Sequence, residues 1–298
     1  MDIKAEITGL TQSILLNRMI SGLKTLIITI LFITTTSSLY GFNSFSGDST
    51  EAGDEIYDGK AQLTFGWFLP TINSSAQLNT KAGGIGTIIN LESAFNLPES
   101  QQLFRFKGLY RFNNKHSVEG YYYALNRSGA NISSDSIVFG DLVINLNSSF
   151  TSFFKATLFG GKYRYSVYND SNVETGFSAG ISFLYVDIGA TVKLVDRTLA
   201  NEEYSDLLFL PVFGFYNRVN LSDNLIFRSN VDAFALNIER YNGILLDLSI
   251  AVEYYFMERF SVGTSYNAFA LDVKFDTKEK GEIKYGHRGF MFFGKVFF

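Results

Sequence analysis

The chain has 298 residues and a net charge of −4, with 30 Phe and 17 Tyr against one Trp, three Pro and no Cys. That mild charge gives no sign of a nucleic-acid partner, and none is expected. Absent cysteine excludes disulfide frameworks, thiol nucleophiles and cysteine–zinc sites, and the two histidines, His116 and His287, leave little for a histidine-rich metal site.

The chain is 46% hydrophobic yet only slightly positive in mean hydropathy. Alternating strands mix apolar and polar residues in this way, whereas membrane helices need ~20 consecutive apolar residues. In chain order, the first segment is a targeting signal. Lys24 precedes the apolar run TLIITILFI and the small-polar stretch TTTSS, ahead of Leu39-Tyr40-Gly41. That order describes a secretory signal peptide over residues 1–41, exporting the protein through the periplasm. Met19 is a more conventional start than Met1. An uncleaved inner-membrane anchor is the alternative, although residues 25–34 are short for a helical span. Residues 42–60, which include GDSTEAGDEIYDGK, are acidic and aperiodic and read as a solvated leader.

Residues 61–298 are strands and turns. LTFGWFL sets Leu63, Phe65, Trp67 and Leu69 on one face. LFRFKGLYRF sets Phe104, Phe106, Tyr110 and Phe112 opposite Arg105, Lys107 and Arg111. HSVEGYYYALN follows, and its Tyr121, Tyr122 and Tyr123 read as an interfacial aromatic belt plus a lumen tyrosine. ILLDLSIAVEYYF turns Ile244, Leu246, Leu248 and Ile250 one way, toward lipid, and Asp247, Ser249 and Glu253 the other, toward a lumen.

Such runs exceed the ~5–6 residues usual in globular sheets, while a tilted strand crossing an apolar layer needs ~9–11. Connections alternate in length. They are tight at 113–115, 168–172, 220–224 and 257–259, longer and polar at about 127–149 and 195–204, with a shorter KEKGE at 278–282. This asymmetry predicts an all-β fold, a transmembrane antiparallel up-and-down barrel.

Strands placed at 61–71, 101–112, 115–126, 150–168, 173–194, 205–219, 224–239, 242–257, 260–275 and 282–298 number ten. GTIINLESAF (86–95) then stays in the first outer loop. IVFGDLVINL (137–146) stays in the second, where it extends neighbouring strands above the membrane. Counting both as spanning gives twelve, the alternative, and reverses the side of the 113–115 turn.

The chain closes with GFMFFGKVFF. Phe290, Phe292, Val296 and Phe298 share an uncharged face, with Met291, Phe293, Lys295 and Phe297 opposite. This tail resembles the closing strand of bacterial outer-membrane β-barrel proteins, small porin-like members included, whose pattern is a terminal Phe preceded by apolar residues at alternate positions. Gly294 departs from it by offering no side chain. The resemblance implies that the barrel-assembly machinery reads this strand, and it specifies architecture, not activity.

By parity the lumen holds Arg105, Lys107, Arg111, Glu119, Lys162, Arg164, Arg228, Asp232, Asp247, Glu253 and Lys295. Such charges pair across a narrow lumen and fill it. The alternative is a constricted path for small solutes, favouring anions because basic groups outnumber acidic ones. No HExxH, GxSxG or P-loop pattern appears. His116 sits at a periplasmic turn, and inward-facing His287 reads as a satisfied wall residue, so a lipid- or peptide-modifying enzyme is the weakest reading. We therefore expect a monomeric, non-enzymatic barrel in outer-membrane lipid, with no cofactor, acting as a structural or surface-interaction protein.

Overall fold

The computed structural model describes residues 59–298, apart from 195, 196, 239, 240 and 277–279. The expected signal segment 1–41 lies outside the described residues, as does the leader except for Gly59 and Lys60. The described chain is made of strands β1 (Ala61–Leu78), β2 (Ile89–Asn90), β3 (Leu103–Arg111), β4 (His116–Ile132), β5 (Ile137–Phe139), β6 (Leu142–Ile144), β7 (Ser149–Asn169), β8 (Val173–Leu194), β9 (Arg197–Ser222), β10 (Leu225–Ile238), β11 (Tyr241–Met257), β12 (Phe260–Asp276) and β13 (Lys280–Phe297).

Ten of these pair antiparallel in chain order, and β13 returns to β1 in one unbroken register from Gln62↔Phe297 to Leu78↔Gly281. The result is a closed ten-stranded barrel, with β2 added beside β1 and β5–β6 as a separate hairpin. The count of ten stands against the alternative of twelve.

Strand limits differ from the sequence reading. β9 starts at Arg197, so most of the stretch read as a loop at 195–204 is strand. β1 runs to Leu78 and β4 to Ile132, well beyond 71 and 126. Residues 137–144 pair with each other, Ile137↔Ile144 through Phe139↔Leu142, and do not extend their neighbours. The reason is the turn at Gly140, whose φ of +60° suits glycine. A Cβ there would also stand 2.9 Å from Glu202 Cγ and 3.0 Å from Leu78 Cδ2.

The wall has two halves of opposite polarity. We call the end bearing Ala61, Phe298 and the tight turns the near end. Over its half, the outer face carries exposed Leu63, Phe65, Trp67, Phe177, Phe213 and Phe292, while the inner face carries Glu119, Lys162, Glu174 and Glu253. Over the far half the order reverses. Exposed Thr71, Asn73, Thr151, Lys155 and Lys274 point outward, and buried Ile72, Phe154, Ile188, Val273 and Ile283 point inward. A polar lumen inside an apolar jacket is stable only with hydrocarbon outside, so the near half is the membrane-spanning part. A polar jacket around an apolar interior is stable in water. Leu248 falls on the outward side by register but is only 5% exposed, so its neighbours cover it.

Two connections seal the far interior. β3 is only nine residues long, and beyond it the gap between β1 and β4 is filled by residues 79–102. This segment is tied to β1 through Ser75↔Asn90, Ala76↔Ile89 and the Thr71↔Ser100 bridge. It is tied to β4 by hydrogen bonds that the side-chain amides of Asn131 and Asn96 donate to the Ala94 and Ala130 carbonyls, each 3.0 Å. The β5–β6 hairpin then covers the mouth, turning Ile137, Phe139, Leu142 and Ile144 onto Phe95, Phe150 and the far inner wall.

One buried ion pair pins the seal. Arg127 Nη1 donates to Glu92 Oε1 at 2.5 Å and its Nη2 to Ser74 Oγ at 2.6 Å. Ser74 in turn donates its amide and hydroxyl to the same carboxylate at 2.9 and 2.7 Å. At the surface, Lys81 lies 3.4 Å from Asp141 and 3.3 Å from Glu202, joining the first connection, the hairpin and β9. The Lys81 amide N–H donated to Asp141 holds that carboxyl below its ordinary range.

Candidate functional site: a charged chamber in the membrane half

The near half encloses a cavity of about 180 Å³. Inward positions of β3, β4, β7, β10, β11 and β13 bring the expected charges around it. Glu119 is its hub: Oε1 lies 3.5 Å from Lys107 Nζ and 3.3 Å from Lys162 Nζ, and Oε2 accepts from Arg164 at 3.0 Å.

Lys162 crosses from β7 to β10, donating to Asp232 Oδ2 at 2.6 Å. Asp232 also accepts from Asn230 at 2.8 Å and Ser178 at 3.3 Å. Gly214 makes room for it, since a Cβ there would lie 2.0 Å from Asp232 Oδ1.

Toward the near rim, Arg111 clasps Glu174 with two bonds of 3.2 and 3.0 Å, and Ser166 donates to the same carboxylate at 2.6 Å. Arg218 stands 3.9 Å from it. The Arg164 guanidinium lies over Tyr216, 3.7 Å from the ring centroid. Glu253 is held by Arg228 at 2.8 Å, Lys295 at 2.6 Å and the Ser261 hydroxyl at 2.5 Å. Ile226, Tyr255 and Phe297 form a small apolar cluster at this end.

At the boundary with the far half, Arg105 donates to His287, whose other ring nitrogen bonds the Tyr285 hydroxyl at 3.1 Å. The His287 ring stacks on Phe269, centroids 5.1 Å apart and 7° from parallel. Arg105 lies over Phe68 and Tyr123 at 4.2 and 4.5 Å. His287 is thus fully engaged in the wall. His116, at the near rim, bonds the Tyr163 hydroxyl. Asp247 and Ser249 both line the cavity.

The eleven expected charges therefore share one interior, ten in a mesh of ion pairs and hydrogen bonds, with Asp247 apart. Sequence reasoning missed Glu174, Arg218, Ser166 and Tyr216. Parity carries that signal: Glu174 on β8 and Tyr216 and Arg218 on β9 alternate with Phe177, Phe213 and Phe215, and Ser166 on β7 alternates with Tyr163 and Tyr165. The Arg127–Glu92 pair carries no such signal, because both residues fall in stretches that read as loops. Tyr121 and Tyr123 both face inward and Tyr122 is exposed, so there are two lumen tyrosines, not one. Of the closing strand, Phe290, Phe292 and Phe298 are exposed on the outer face, and Val296 shares their parity. The position of Gly294 is open, with nothing within 4 Å of where a Cβ would stand.

No protein-family model matches the chain, and no curated protein matches it. Among solved structures, the outer membrane protease OmpT from Escherichia coli matches with a TM-score of 0.51 at 10% identity, covering 84% of this chain and all 100% of that one. The translocator domain of the autotransporter NalP from Neisseria meningitidis matches with a TM-score of 0.41 at 9% identity, over 76% of this chain and 87% of that one. The first likeness shows the fold, a closed antiparallel barrel of the outer-membrane kind, and does not extend to activity.

Proposed function

We propose that this chain is a monomeric, integral outer-membrane barrel with an occluded lumen, acting as a structural or surface-interaction protein rather than as a pore or an enzyme. The far half is its exposed part, held outside the cell as a self-sealed domain. The signal expected over residues 1–41 delivers it to the periplasm, and the closing strand with Phe290, Phe292, Val296 and Phe298 presents it to the assembly machinery.

One observation carries this reading: the far interior is a packed apolar core. Phe95 and Phe139 are both 0% exposed in the position a solute would have to cross. An ion there would lose its hydration among apolar side chains, and the buried Arg127, Glu92 and Ser74 groups are already bonded to one another. The charged chamber is then closed on its far side, and its ion pairs cross-link strands through the lumen as small barrels do.

Planar-bilayer recording of the refolded protein tests it. We expect no discrete conductance steps up to the voltage at which the bilayer breaks. Reproducible steps abolished by boiling the protein would overturn the reading in favour of a narrow channel.

A further inference from the structure

The chamber is out of charge balance. Among the described residues, eight inward cations stand in or beside it against five carboxylates. Glu119 is shared by three cations, and Glu174 and Glu253 by two each. Asp232 holds Lys162, which is already counted on Glu119.

Deprotonation does not relieve this surplus. Five of the eight cations are arginines, which stay charged in proteins. Each of the three lysines has a carboxylate within 3.5 Å. Lipid surrounds this half, so uncompensated charge is costly there.

The surplus has a geometry. Arg105 makes no ion pair among the described residues, and the Nε atoms of Arg105 and Arg164 are buried without an acceptor. The Lys107 side chain remains 45% exposed within the lumen. Against these donors stands one carboxylate, Asp247, with no hydrogen-bond or ion-pair partner among the described residues. Its electrostatic neighbours are Arg105, Asp232, Lys162 and Lys107.

We propose that the chamber is a binding site for a hydrogen-bearing oxyanion of the phosphate class. Arg105, Lys107 and Arg164 take its charged oxygens, as guanidinium and ammonium groups do for phosphate. Asp247, acceptor-only when ionised, takes the remaining P–O–H proton. Monohydrogen phosphate keeps such a proton at neutral pH; sulfate and the phosphodiesters of lipid headgroups do not, and would set a bare oxygen against the carboxylate. About 180 Å³ admits an ion of that size. The far side is closed by the apolar core, so exchange runs through the near end. The inference does not depend on what the far half does.

The test is equilibrium dialysis of radiolabelled phosphate and sulfate against the refolded full-length protein, in non-ionic detergent at pH 7 and low ionic strength. Expected are one phosphate per barrel and sulfate bound at least tenfold more weakly. Asp247→Asn, whose amide can donate to a bare oxygen, brings the two ions within threefold. Lys107→Met weakens phosphate at least fivefold. Absence of phosphate binding, or equal retention of the two ions by the unsubstituted barrel, overturns the proposal. That comparison needs no variant, so a substitution that fails to fold leaves it decided. An unchanged ion preference in folded Asp247→Asn also overturns it.

Discussion

The near and far halves of this barrel use the same strands and opposite chemistry. In β7, Lys162, Arg164 and Ser166 point inward under an outer row of Phe159, Tyr163 and Tyr165. A few residues earlier the same strand points Phe150, Phe154 and Ala156 inward beneath Thr151 and Lys155. From Phe150 to Ser166 the side-chain period of two holds; only the assignment of polar and apolar to the two faces changes. The lesson is that a strand's solvent is set segment by segment. The near segment is written for lipid outside and charge inside, the far segment for water outside and oil inside.

The largest expected effect strikes the pin of the far half. Arg127→Met leaves the Glu92 carboxylate buried with only the two Ser74 donors, and breaking a buried pair in this way costs about 3–5 kcal/mol. Urea unfolding of the refolded barrel should show that loss, and adding Glu92→Gln should recover part of it. A double variant as unstable as the single one would mean that the pair does not act as a unit.

A second test sets one outer face against the other. Ile250→Arg, on the lipid face, should cost roughly 2–4 kcal/mol. Asn73→Arg, on the far outer face, should stay within about 0.5 kcal/mol, as surface changes usually do. Equal costs, again from urea unfolding, would place the membrane over both halves and erase the distinction.

The smallest effect belongs to the surface latch of the far mouth. The Asp141 carboxyl lies below its ordinary value of 3.8, so its contribution is complete above that value and is lost as pH falls through the lower, folded value. Hydrogen exchange at the Lys81 amide should therefore quicken, relative to other amides, only below about pH 4. Selective quickening between pH 5 and 7 would mean that another group controls the latch.

Much of the membrane half was legible in the sequence, because there the apolar face is dense in Phe, Tyr, Leu and Ile. Runs such as Phe104-Arg105-Phe106-Lys107 declare both face and period. The far half was harder to read. Its outward residues are Thr, Asn, Ser and Glu, so stretches such as Thr198 to Ser205 and Asn126 to Ile132 look like loops when only one face is scored. The ion pairs were legible as a set of inward charges but not as partners. Lys162 meets Asp232, and Arg111 meets Glu174, across the lumen from strands that are not neighbours, and only barrel closure decides that. The pin between Arg127 and Glu92 needs a β3 that begins only at Leu103, leaving the far gap to residues 79–102, and no local pattern announces where a strand falls short.

With the far half outside the cell, as proposed, its polar jacket also constrains the order of events during biogenesis. Lys155, Glu203, Lys274 and Asp276 have to pass through hydrocarbon before they reach water on the other side. Each such side chain at mid-bilayer depth costs on the order of 2.5–3.5 kcal/mol. Strands threaded singly would pay that toll one after another, with no partner to share the load. Passage is far less costly if the chain crosses in a shielded, still unsealed form and the 79–102 and 133–148 connections fold inward only afterwards. Closure of the outer cap is then the last step of maturation, and protease sensitivity of those two connections should persist after the membrane ladder has formed and vanish when the cap sets.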